Sequence, residues 1–111
     1  MEKQRKMAML AVAMIEDYQE VISGYIVDAR IESLCLSGTA FKTFGYPNGS
    51  HLVTTEIMQV TLYFPSRWVV KTRDDESYVI ASFARGGRQS LVTLAEKFEA
   101  AQLVHSQWNM H

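Results

Sequence analysis

Between Thr43 and Phe83 the chain runs in short apolar-and-polar stretches, each closed by a turn signal, and this pattern dictates a β-rich centre. Its firmest point is Pro47-Asn48-Gly49-Ser50. Asn-Gly readily takes the positive φ angles that a tight hairpin requires. Residues 51–64 follow as one long strand, bent near Thr54-Thr55 and ended by Pro65-Ser66. Residues 68–72 and 78–83 read as two more strands around the polar turn Arg73-Asp74-Asp75-Glu76-Ser77.

Helical segments flank this centre. In residues 3–22, Met7, Ala11, Met14, Tyr18 and Val21 recur at helical spacing, and Leu10 and Ile22 widen the stripe. Gly24 is placed to end that helix. Met9, Val12, Ala13 and Ile15 fall largely off the stripe, so more than one face of the helix must be covered. A second copy of the chain could cover it, making a homodimer or higher oligomer; so could the chain's own sheet. Residues 25–36 change to a period of two, with Val27, Ala29, Ile31 and Cys35 facing one way and Asp28, Arg30 and Glu32 the other. Ser37-Gly38 breaks this strand and residues 39–45 make the return. Ser90 suits an N-cap for a second helix reaching about His105, with Leu91, Leu94, Ala95, Phe98 and Ala101 on one face. The expectation is a single α+β domain over residues 1–111: an N-terminal helix, an antiparallel sheet of about five strands and a C-terminal helix.

Charge and cysteine content narrow the functions available. Eleven Lys and Arg against 12 Asp and Glu leave a net charge of −1. That balance argues against a protein held on nucleic acid by general phosphate neutralisation, although a local basic pocket is compatible with it. Cys35 is the only cysteine, so neither an intramolecular disulfide nor a thiolate zinc site can form. A small core residue is its expected role, in the reducing cytoplasm. Glu2-Lys3-Gln4-Arg5-Lys6 before an apolar run resembles the start of a secretory signal, yet the helical pattern continues past the Ala11-Val12-Ala13 cleavage-like site. No run approaches the ~20 apolar residues of a membrane-spanning helix.

Arg85-Gly86-Gly87-Arg88-Gln89-Ser90 is the most chemically suggestive motif. Its glycines let backbone N–H groups approach a ligand, a helix N-terminus follows, and two arginines offer bidentate donors to phosphate or carboxylate. A glycine-rich connection with solvated arginines satisfies the same residues and is the commoner case. Arg73, Ser77 and Tyr78 with Thr54, Thr55 and Thr72 form a polar group in the hairpin region, where strand propensity accounts for the threonines. Phe41, Phe44, Tyr46, Trp68 and Tyr78 could stack on a base, or pack as core and cross-strand partners. His51, His105 and His111 keep no metal-ligand spacing with any carboxylate, and Asp74-Asp75-Glu76 reads as a solvated charge run. No serine sits in a nucleophile elbow and no histidine pairs with Cys35. The expectation is a binding protein with no catalytic residue, metal or cofactor.

Phe44, Asn48-Gly49, Thr54-Thr55-x-Ile57, Val70-x-Thr72 and Ser77-Tyr78-x-Ile80 together resemble a pattern in small proteins of bacteriophages and mobile elements, over about 40 of the 111 residues. The chain also looks like phage anti-defence proteins that sequester cyclic nucleotide immune signals, which are helix-plus-sheet oligomers without catalytic activity. That resemblance implies an aromatic stacked on the base and arginines on the phosphates. Arg73, Arg85 and Arg88 with Phe44 or Tyr78 are the positions that could serve, and Ser90 stands beside them at the helix start. Two further expectations are an inhibitor that binds a host defence protein directly and a regulatory protein working on nucleic acid.

Overall fold

A computed structural model describes residues 2–63 and 65–109, with side chains through Ala100. The order is α1 (Glu2–Ile15), β1 (Gly24–Glu32), β2 (Cys35–Phe41), β3 (Ser50–Tyr63), β4 (Arg67–Thr72), β5 (Ser77–Ile80) and α2 (Gly87–Asn109). This is the expected α+β arrangement, and its sheet is rolled into a closed barrel in which each strand pairs with its sequence neighbour. Four of the five pairings are antiparallel; β1 and β5 close the barrel in parallel through Gly24, Tyr25 and Ile26 opposite Tyr78, Val79 and Ile80. An odd number of strands in a meander forces that parallel seam.

Alternation splits the barrel wall into two cores. Ile26, Leu36, Ala40, Leu52, Ile57, Val70, Tyr78 and Ile80 point inward and meet Leu91 and Leu94 of α2. Val27, Val69, Val79 and Ala81 point outward beneath Leu10 and Ala13 of α1. Strands β4, β5 and β1 are therefore apolar on both faces, and every residue of β5 is buried.

β1 departs from the strict alternation expected of residues 25–36. Asp28 has φ 56° and the register with β2 shifts between Val27 and Arg30. This bulge sends Val27 outward and Ala29 inward, where alternation had placed them together. The strand then stops at Glu32, and Ser33 and Leu34, both at positive φ, turn it into β2. Ser37 and Gly38 lie within β2 instead of breaking it. A Cβ at Gly38 would stand 2.5 Å from Ile26 Cγ2 and 2.9 Å from the Val27 carbonyl, so glycine is what allows β1 and β2 to close over the bulge. Cys35 is half-buried at the start of β2.

The long strand β3 serves two partners, β2 through residues 50–56 and β4 through residues 57–63. Its handover falls at Glu56 and Ile57, two residues beyond the expected bend.

α1 ends at Ile15, well short of the expected residue 22. Tyr18 explains the stop: its hydroxyl donates to the Ala13 carbonyl at 2.7 Å, and its ring meets Tyr63 edge-on at 5.3 Å. The following segment is then pinned to the barrel. The Tyr63 and Ser77 hydroxyls both donate to Glu20, and the Ser23 amide donates to the Ser77 carbonyl. The buried residues of α1 are Leu10 and Ala13, while Met7 and Met14 of the expected stripe are exposed. Gly24 starts β1 and caps no helix. α2 begins at Gly87, three residues before the expected N-cap, so the Ser90 hydroxyl lies in its first turn and donates back to the Gly86 carbonyl. Leu91 and Leu94 are buried and Ala95 and Phe98 half-buried, as the helical spacing predicts; Ala101 lies outside the described side chains.

Leu36→Ala should lower unfolding free energy in urea by about 2–5 kcal/mol, whereas Val21→Ala, in the exposed segment after α1, should shift it by about 0.5 kcal/mol or less. Equal losses would contradict this division between core and surface.

Candidate functional site

The segment after β5 builds the site. The Ala29 amide donates to the Ser82 carbonyl and the Ala84 amide to the Ala29 carbonyl, both at 2.9 Å, while the Ser82 hydroxyl accepts from the Asp28 amide at 3.0 Å. Residues 82–84 thus lie along the second half of β1, on the bulge at Asp28. The chain then turns through Gly86, at φ 81°, and Gly87 packs directly on the Ala29 carbonyl. A Cβ at Gly87 would lie against that backbone oxygen and 3.4 Å from Arg30 Cα. The Arg85–Arg88 connection is held where it is because only glycine fits the contact.

Three cationic residues, Arg30, Arg85 and Arg88, are therefore carried on adjoining pieces of backbone, and all three are exposed. Two adjoining hollows flank the junction and share Met9, Ser82 and Phe83. The larger, about 230 Å³, runs between Ser66, Arg67 and Trp68 on one side and Phe83 and Arg88 on the other. The smaller, about 130 Å³, reaches the first turns of α1 at Glu2, Arg5 and Lys6.

These cations differ in how far they are already matched. Arg67 donates through Nε and Nη2 to both carboxylate oxygens of Glu16 and through Nη1 to the Ile80 and Ala81 carbonyls. It fastens the segment after α1 to β4 and β5, and its charge is matched. Lys6 pairs with Asp28 at 2.8 Å, and that hydrogen bond holds the Lys6 ammonium above its ordinary pKa. Arg5, Arg30, Arg85 and Arg88 form no ion pair with any described residue.

The six residues singled out from sequence separate into three places. Arg88 lines the larger hollow, Arg85 stands exposed on the connection beside it, and Ser90 is spent on Gly86. Arg73 is on the β4–β5 turn in an ion pair with Glu56. Phe44 and Tyr78 line a different hollow of about 560 Å³, together with Tyr46, Lys42, Asp74 and Glu76. The structure does not bring Phe44 or Tyr78 to the arginine cluster. Aromatic faces there come from Trp68 and Phe83, both half-buried. Phe83 was legible only as the end of a strand, and Arg5 and Lys6 only as a charged N-terminal run. Arg30 reads as the solvated side of β1. Nothing local in the sequence joins these positions, since the bulge and the Gly87 contact bring them together.

Among the described residues, no group of three or more His, Cys, Asp or Glu could hold a metal ion, and no helix is long and apolar enough to cross a membrane. Comparison with protein-family models, with curated proteins and with solved structures found no match for the chain.

Two titrations follow from the hollow at Phe44. The Asp74 carboxyl is held below its ordinary value, chiefly by the Thr72 hydroxyl and further by Thr55. Its stabilisation is complete above the ordinary carboxyl value of 3.8 and is lost as pH falls through the lower native value. Asp74→Asn should therefore lower stability at neutral pH, with the gap closing in acid. The Tyr78 phenol is pushed up to about 12, first by burial and then by the charges of Asp74 and Glu76. Stability tied to it is present below about 10 and lost as pH rises toward about 12. Tyr78→Phe should flatten that alkaline fall in denaturation profiles; an unchanged slope would contradict the assignment.

Proposed function

We propose that the protein is a non-catalytic, phage-type anti-defence protein that captures a phosphate-bearing cyclic nucleotide in the host cytoplasm and sequesters it at the arginine junction. The observation that carries this reading is Arg88 on the larger hollow with Trp68 and Phe83, and Arg5 on the smaller one, with Arg30 and Arg85 exposed on the adjoining backbone and none of the four in an ion pair with a described acid. Guanidinium groups suit phosphate oxygens through paired N–H donors, and an aromatic face suits a base. Asp28 is occupied by Lys6 and Glu16 by Arg67, and Glu2 is the one other acid lining either hollow, so the exposed arginines remain in excess locally although the chain as a whole is almost neutral. Holding a ligand is the chemistry this arrangement offers. The groups lining the junction supply donors and ring faces.

Self-association belongs to the same proposal. α1 buries Leu10 and Ala13 and leaves Met7, Met9, Val12, Met14 and Ile15 exposed, with Ile15 80% exposed. A second copy covering that apolar face would account for it. Because Met9 also lines both hollows, such a dimer would form beside the ligand.

Isothermal calorimetry with a panel of cyclic nucleotides should show binding that weakens with salt, and Arg88→Ala should reduce affinity at least about tenfold, a loss in the range of a charge-assisted phosphate contact. Absence of heat with every cyclic nucleotide would remove the reading. Sedimentation of the full chain should show a dimer or larger species that Val12→Glu with Ile15→Glu converts to monomer; a wild-type monomer would remove the oligomer from it.

A further inference from the structure

The hollow at Phe44 shares no lining residue with the arginine junction and has the opposite character. We propose that it is a recognition site for a guanidinium or ammonium group, with Phe44 and Tyr46 supplying ring faces and Asp74 and Glu76 the countercharge. The proposal stands apart from nucleotide capture and does not depend on it.

Phe44 is fully exposed, yet the turn that carries it is tightly held. The Tyr46 amide donates to the Thr43 carbonyl at 3.1 Å across a Thr43–Tyr46 bridge, and Gly45 takes φ 85° in between. The Lys42 amide donates to Asn48 Oδ1 at 2.8 Å and the Gly49 amide to the Ala40 carbonyl at 2.8 Å, closing the loop at its base. A phenylalanine in this position adds nothing to either core. Its ring is presented on an ordered support, beside Tyr46 at 42% exposure.

Tyr78 adds a polar atom to the lining. It is only 6% exposed, it lines the hollow, and its hydroxyl makes no hydrogen bond to any described residue. The ring is buried while the oxygen keeps access to the hollow, since no described side-chain oxygen or nitrogen is both buried and unpaired. Its open oxygen can accept an N–H from a cation seated above it. The carboxylates are arranged for the same partner. Asp74 Oδ1 accepts from the Thr72 and Thr55 hydroxyls, which fixes the side chain and leaves Oδ2 without a partner among the described residues. Glu76 forms no ion pair with any described residue. Against these two acids the hollow holds one cation, Lys42, so its lining is net negative and repels a phosphate. Aromatic faces with carboxylates behind them favour a cation with an apolar stem. Of the lining side chains, Lys42 alone competes for that role.

The test is an NMR titration of the full chain with acetyl-Gly-Arg-Gly-amide, with its citrulline counterpart and with agmatine. The arginine peptide should shift the amide signals of Phe44, Tyr46 and Tyr78 at millimolar concentration, the range expected for a few exposed cation contacts. Citrulline, isosteric but neutral, should bind at least about tenfold more weakly. Phe44→Ala, and separately Asp74→Asn with Glu76→Gln, should weaken the arginine peptide at least about fivefold, while Lys42→Ala should tighten it. Well-dispersed amide spectra will show that each variant is folded. Agmatine matching the peptide would assign the site to small guanidines; a tighter peptide would assign it to an arginine side chain of a protein partner. Equal binding of citrulline and arginine, no response to either at ~10 mM, or no gain from Lys42→Ala would overturn the proposal.

Discussion

Five strands wound in sequence order around a closed barrel leave the first and the last running the same way, and the rest of the molecule depends on how that parallel seam is made. Only three residue pairs join β1 to β5, from Gly24–Tyr78 to Ile26–Ile80. The seam is then extended by bonds that no regular strand supplies: the Ala81 amide to the Ile26 carbonyl, the Asp28 amide to the Ser82 hydroxyl, and the paired bonds between Ala29 and residues 82 and 84. The bulge at Asp28 turns the backbone so that these bonds can form. Arg67 ties the same corner from outside, taking the Ile80 and Ala81 carbonyls and the Glu16 carboxylate with one guanidinium. α1 and α2 are placed by this corner, one against the outer face of β5 and β1 and the other over the barrel interior.

Both candidate sites are consequences of that closure. The glycine contact at Ala29 delivers Arg85 and Arg88 next to Arg30, and α1 brings Arg5 and Lys6 to the same edge. The Phe44 hollow forms where the β2–β3 loop, the β4–β5 turn and the entry to β1 converge. One barrel therefore presents a cation-rich edge and an acid-and-aromatic hollow at separate places, while its net charge of −1 conceals both. Charge summed over a chain says little about charge sorted over a surface.

The order of elements was legible in the sequence because it rests on local signals: the Asn48-Gly49 turn, the long alternation of β3, the apolar face of Leu91 and Leu94. What could not be read there rests on tertiary contacts. Residues 16–22 keep a helical spacing, yet Glu20, Ser23 and the ring of Tyr18 find partners on the barrel that a continued helix could not reach. Ser33-Leu34 contains no Gly, Asn or Asp, the residues that most readily take positive φ, yet both of its residues do so. The glycines beside Arg88 mark its connection in the sequence, whereas nothing there gives the distance that separates it from Phe44 and Tyr78, which line another hollow. Trp68 reads in the sequence as one of five aromatics able to stack on a base, while Arg30 and Phe83 carry no local mark; the seam is what brings these positions near one another.

Phosphorus NMR tests the central claim most directly, because it observes the ligand's own phosphate. On adding the folded chain, the resonance of a captured cyclic nucleotide should shift and broaden, and it should return to its free position when Arg30 and Arg88 are both replaced by alanine. A phosphorus signal that stays unchanged for every cyclic nucleotide, or one that responds equally to the doubly substituted chain, would contradict the account.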